Sequence, residues 1–109
     1  MSKLLEQRTA AELAAALDTD DDRRVVDTRP PDSYDAWHLP GAVNIPYHPV
    51  EGLGDGRSWE SIRSQLGDTP VAVVGGKGLA SIPFGIELAR RGHDDVAVVK
   101  GGMEDWSKL

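Results

Sequence analysis

Three groups of residues have the types and the spacing to do chemistry. In the first, an apolar run, Val71-Ala72-Val73-Val74, stops at Gly75-Gly76-Lys77-Gly78-Leu79-Ala80 and restarts at Ser81 as a helical pattern running to Arg91. A buried strand that feeds a glycine-rich loop and then a helix points several unpaired backbone N–H groups at one spot. The helix dipole adds partial positive charge there. Such a spot holds an anion or a thiolate, and Lys77 supplies a cation within the loop. The second group, Asp27-Thr28-Arg29, ends a short apolar stretch, at the kind of strand end where α/β folds gather functional groups. Both charges should be partly buried, and a buried charge needs a partner, so Asp27 and Arg29 read as structural support. The third is Tyr34-x-x-x-His38-Leu39-Pro40-Gly41-Ala42. His38 has the side chain suited to a general base near neutral pH, but its neighbours define a turn, and a structural role is the reading taken.

The elements that must position these groups can be read from caps and apolar periods. Thr9 followed by Glu12 makes a capping box ahead of a helix over 10–17. Residues 24–27 form a short buried strand, and Pro30-Pro31 starts a brief helical turn through Tyr34 and Trp37, with Trp37 assigned to the core. Residues 42–46 read as another strand, closed by Pro46, and the glycines and prolines of 47–57 as a surface loop. Ser58 caps a helix to Leu66 that Gly67 ends; Ser81 caps the next, 82–91, which Gly92 ends. Residues 71–74 and 96–99 are four-residue apolar runs, followed at the end of the chain by a short helix bearing Trp106. Short apolar strands separated by helices predict a mainly parallel central sheet of about five strands, buried on both faces by helices, in a three-layer α/β domain.

With 109 residues the chain is one domain, 1–109, with a monomer as the default. Eighteen acidic residues against 12 basic give a net charge of −6, which argues against nucleic acid as a partner, because phosphates require a clustered basic face. No apolar run approaches the roughly 20 residues a membrane crossing needs, and the first residues lack a signal-peptide core, so the expected location is the cytoplasm. The sequence contains no cysteine. Disulfides, thiolate metal sites and persulfide chemistry on this chain are thereby excluded.

Taken together, Asp27-Thr28-Arg29, the Tyr34 to Ala42 pattern, the Gly75 to Ser81 loop and the terminal Gly101-Gly102-Met103-x-x-Trp106 resemble the rhodanese (sulfurtransferase) family from one end of the chain to the other. The resemblance implies a three-layer fold and transfer of sulfane sulfur through a cysteine persulfide. It also implies that Asp27, Arg29 and His38 support the site structurally. In that family the strand ends in a cysteine that begins the loop, and alignment on Gly78, Ser81 and Gly92 places Gly75 at the cysteine. Ala80 falls where many members carry an arginine that helps hold an anionic substrate. Where the family's arginine pairs with a glutamate four residues later, this chain has Ser33, which leaves Asp32, Asp35 or Glu104 as candidate partners for Arg29.

The expected function is therefore a rhodanese-like domain without its nucleophile, binding a small sulfur oxyanion or an acceptor protein. The alternative is a sulfurtransferase whose cysteine has been replaced at position 75. Other readings of the loop fail on residues. The dinucleotide fingerprint wants an acid where Lys100 stands, and a phosphate-binding P-loop wants Gly-Lys-Ser/Thr. No resident cofactor is expected, and no metal: His38, His48 and His93 lack ligand spacing, and the aspartates of 18–22 lack the glycine and distal glutamate of a calcium loop.

Overall fold

The computed structural model describes residues 6–9, 11–12, 23–39, 41–48, 50–54, 57–76, 81–93 and 95–99. Seven strands are present among them: β1 (Glu6–Arg8), β2 (Arg24–Asp27), β3 (Val43–Asn44), β4 (Tyr47–His48), β5 (Gly52–Leu53), β6 (Val71–Val74) and β7 (Val96–Val99). Three helices accompany them: α1 (Pro31–Ala36), α2 (Trp59–Leu66) and α3 (Ser81–Arg90). Five strands form one sheet in the order β1-β7-β6-β2-β3, every pairing parallel. The expected mainly parallel, five-stranded α/β architecture is what forms. Among the described residues no helix is long and apolar enough to cross a membrane.

β-Branched residues explain the centre of this sheet. Every residue of β6 and β7 is buried, as parallel strands covered on both faces require. Alternation then divides them. Val26, Val71, Val73 and Val96 face one core with Ile62 and Leu66 of α2 and Phe84 and Leu88 of α3. Val25, Ala72, Val74 and Val99 face the other, with Leu39, Ala42 and Tyr34. Phe84 is fully buried, and its truncation to alanine is the single change that would cost the first core most, about 3–5 kcal/mol.

Local chemistry sets the element ends. The Thr9 capping box is formed: Glu12 N–H donates to Thr9 Oγ1, and Thr9 N–H to Glu12 Oε1, each at 3.1 Å. Most of the helix that box would open lies outside the described residues, as do the 18–22 aspartates and the terminal segment with Trp106. Pro31 opens α1 at a position whose N–H would be unused anyway. Ser58 caps α2, its Oγ accepting from Ser61 N–H at 3.1 Å, and Gly67 ends the helix at φ +64°. Gly92, at φ +102°, ends α3.

Three expectations need correction. Strand β1, pairing Glu6 to Arg8 with Ala97 to Val99, was not foreseen, because a three-residue edge strand carries almost no periodic signal. Residues 47–53 form an antiparallel hairpin, β4 with β5, where only a loop was expected. Its tip is built by His48 Nδ1, which accepts from the N–H groups of Val50 and Glu51 at 3.1 and 3.0 Å. Its base is held by Tyr47, whose ring meets Phe84 edge-on at 5.5 Å and Trp59 at 6.0 Å. Finally, Trp37 is 52% exposed and not a core residue. It follows the last turn of α1 in extended backbone, which carries it away from the sheet.

Candidate functional site

The carboxyl ends of β2 and β6 define the site. From β2 the chain crosses to β3 on one side, and from β6 it crosses to β7 on the other, so the strand order reverses between these two neighbours. Connections that leave adjacent strands in opposite directions open a crevice beyond their carboxyl ends, the usual ligand position in open α/β sheets. Thr28 follows β2 and Gly75 follows β6. The two lie one step beyond the paired Asp27 and Val74.

Thr28 is tied to β6 twice: its N–H donates to the Val74 carbonyl at 2.9 Å and its Oγ1 to the same oxygen at 3.0 Å. Gly75 is buried and has an ordinary backbone conformation, so nothing in its φ requires glycine. A Cβ placed on it would stand 3.1 Å from Thr28 Oγ1 and 3.4 Å from both the backbone N and the Cβ of Ser81. These three atoms crowd the point where a side chain at position 75 would begin, so a Cβ there needs Thr28 Oγ1 to yield by a few tenths of an ångström.

Ser81 supplies the most informative atom. It is the first residue of α3, not its cap, so its hydroxyl does not serve the first-turn N–H groups in the way expected from the sequence. Its Oγ is buried, in a residue 0% exposed, and makes no hydrogen bond. A buried hydroxyl left unpaired costs about 1–3 kcal/mol, so its persistence calls for a reason. The helix start beside it presents unpaired N–H groups, except from Pro83, which has none. Gly75, Gly76 and Ser81 of the expected anion loop are thus placed by the structure. Lys77, Gly78, Leu79 and Ala80 lie outside the described residues.

Asp27 and Arg29 form a different arrangement on the same edge. Asp27 is 0% exposed, and Arg29 engages both of its carboxylate oxygens: Nε donates at 3.0 and 3.1 Å and Nη2 at 2.8 Å. The Arg29 backbone N–H adds a bond to Oδ1 at 3.0 Å, and Nη2 donates onward to the Trp37 carbonyl at 2.6 Å. Neither Asp32 nor Asp35 partners Arg29; Glu104 lies outside the described residues. In extended chain residues i and i+2 lie on the same face, so the long Arg29 side chain can fold back along the edge onto Asp27. Asn44 was missed altogether. Its Nδ2 donates to the carbonyls of Asp27 and Arg29, each at 3.0 Å, tying this segment to β3. His38 stacks on Tyr34 with ring centroids 3.8 Å apart, and its Nδ1 bonds the Tyr34 carbonyl at 2.8 Å, while the Tyr34 hydroxyl reaches the Ala42 carbonyl. The structure therefore brings Gly75, Ser81 and Thr28 together and leaves His38 beyond α1, on the loop that leads to β3.

A family profile, the rhodanese-like domain, matches residues 9–109. The chain belongs to this family. Among curated relatives of this rhodanese-like chain, an HTH-type transcriptional regulator of Mycobacterium tuberculosis is 30% identical over 106 residues, which cover 96% of the chain and 39% of the regulator. The chain thus spans about two-fifths of that relative's length. Thiosulfate sulfurtransferase 16 of Arabidopsis thaliana is 29% identical over 89 residues, 78% of the chain and 74% of the plant protein. Among solved structures, the single-domain sulfurtransferase RDL2 of Saccharomyces cerevisiae superposes with a TM-score of 0.69 at 20% identity, covering 99% of this chain and 93% of that one. At that identity the likeness speaks for the fold alone.

Proposed function

We propose that this rhodanese-like domain is a non-catalytic binder of small oxyanions, held at the start of α3 beside Gly75 and Thr28. The observation that carries the reading is the buried, partnerless Ser81 hydroxyl at the start of α3, in a residue adjacent to the side-chain-less Gly75. A bound oxyanion accepts from that hydroxyl and from first-turn N–H groups, and the helix dipole favours its charge. The sequence contains no thiol, so sulfur cannot be carried as a persulfide on this chain. Sulfate, thiosulfate and related sulfur oxyanions match the donor set.

Titration of sulfate and thiosulfate into the labelled protein tests this. Amide shifts are expected at Gly75, Gly76, Ser81 and Ile82, with millimolar affinity, on the order of 4 kcal/mol. No protein-dependent thiocyanate should form from thiosulfate and cyanide. Shifts absent from these residues, or thiocyanate above the blank, overturn the reading. A second reading has its own support: the backbone at Gly75 is ordinary and a Cβ there asks only that Thr28 Oγ1 give by a few tenths of an ångström, as a sulfurtransferase frame lacking its nucleophile should. Sulfur transfer restored by Gly75→Cys alone would favour that alternative.

A further inference from the structure

Beyond the carboxyl ends of β2 and β3 lies a groove of about 300 Å³, lined by Pro30, Pro31, Pro46, Tyr47 and Leu53, and by Glu51 of the 47–53 hairpin. We propose that this groove binds a small organic cation, an ammonium group on an apolar body about the size of one aromatic ring. Neither Gly75 nor Ser81 lines it, so the site is separate from the start of α3. The inference goes beyond the oxyanion reading and does not rest on it.

The walls call for an apolar body. Three prolines and a leucine offer no side-chain hydrogen bond, and proline's fixed φ makes their surface preformed, so little ordering is needed on binding. The hairpin side is held as firmly. Tyr47 pairs with Leu53 across the two strands and packs edge-on against Phe84 and Trp59, while the tip is bonded to His48 Nδ1. The volume sits at the lower bound of small-molecule sites, roughly 300 Å³, which suits a body of one ring.

Glu51 sets the sign of the charge. Among the described residues that line the groove it is the one with a formal charge, and its exposed carboxylate makes no ion pair with any described residue. His48 also lines the groove, but its Nδ1 accepts from the N–H groups of Val50 and Glu51 and so carries no proton. In this geometry it brings no positive charge to oppose a cation. The net charge of −6 adds a field that raises the local concentration of cations. A bare metal ion does not fit these walls. It would need several oxygen ligands, and no group of three metal-ligating side chains occurs among the described residues. One carboxylate beside a preformed apolar surface instead complements a single positive charge on an organic body.

Four probes separate ring from charge: benzylammonium, methylammonium, benzyl alcohol and benzoate, each titrated into the labelled protein. Benzylammonium should shift the amides of Tyr47, His48, Gly52 and Leu53. It should bind about tenfold more tightly than methylammonium, as burial of part of one ring allows, and about threefold more tightly than benzyl alcohol, as an exposed ion pair allows. Benzoate should bind more weakly than the alcohol. Glu51→Gln, an exposed change, should bring benzylammonium down to the benzyl alcohol value and leave the alcohol unchanged, and Glu51→Lys should place benzoate above benzylammonium. Benzoate binding as tightly as benzylammonium to the unaltered protein, or benzylammonium unaffected by Glu51→Gln, overturns the cation assignment. Equal affinities for methylammonium and benzylammonium overturn the apolar body. No shift in the hairpin with any probe removes the site, whatever sulfate does at Gly75 and Ser81.

Discussion

Helices α2 and α3 both begin at a serine, and the two serines are in opposite states. Ser58 is exposed, stands one residue before its helix, and its hydroxyl is used: it accepts from Ser61 N–H. Ser81 is buried, stands within its helix, and its hydroxyl has no partner. The first serves the stability of α2, because an exposed cap replaces water at an orphan donor. The second gives its helix nothing, and it lies beside a side-chain-less residue at the sheet's switch point. The Asp27–Arg29 pair extends the contrast along the same edge. There both carboxylate oxygens and two of the three guanidinium nitrogens are hydrogen-bonded, which is the condition of a part that holds shape.

The largest effect separates the matched region from the open one. Asp27→Ala leaves Arg29 largely buried without its carboxylate and should cost about 3–5 kcal/mol by denaturant unfolding. A loss below about 1 kcal/mol would mean that the pair is idle and that saturation is a poor guide to structural role.

Gly75→Cys sharpens the contrast from the other side. Placed against Ser81 N, its thiolate should be stabilised by the start of α3, lowering the thiol at least one unit below the free value of about 8.5, or about 1.4 kcal/mol. Alkylation rate against pH measures it, and a value at or above about 8.5 would show that the start of α3 does not stabilise an anion at position 75.

The smallest effects are the most direct comparison of the two serines. Ser58→Ala should destabilise by about 1 kcal/mol through loss of the cap. Ser81→Ala removes an unpaired buried hydroxyl and should leave stability unchanged or raise it by up to about 1 kcal/mol, while weakening sulfate binding. Equal destabilisation by the two substitutions would erase the distinction drawn here.

The sequence by itself determined the elements whose signals are local. The valine runs of β2, β6 and β7, the Ser58 and Gly67 ends of α2, Pro31 at the start of α1 and the Thr9–Glu12 box all follow from residue type and spacing over a few positions. It also determined that no thiol is present, while the place of Gly75 at the family's nucleophile position is what the resemblance implies. The tertiary structure decided what depends on contacts between distant residues. Asn44, from another strand, tied down the backbone of Asp27 and Arg29, the segment in which the two charges pair. Residues 47–53 became a hairpin because Tyr47 found Phe84 and Trp59 to pack on. Trp37 went outward because the chain extends where α1 ends. Ser81, whose type and position promised a cap, became a buried hydroxyl without a partner, since burial and hydrogen bonding are set by what folds around a residue and not by the residues beside it in the chain.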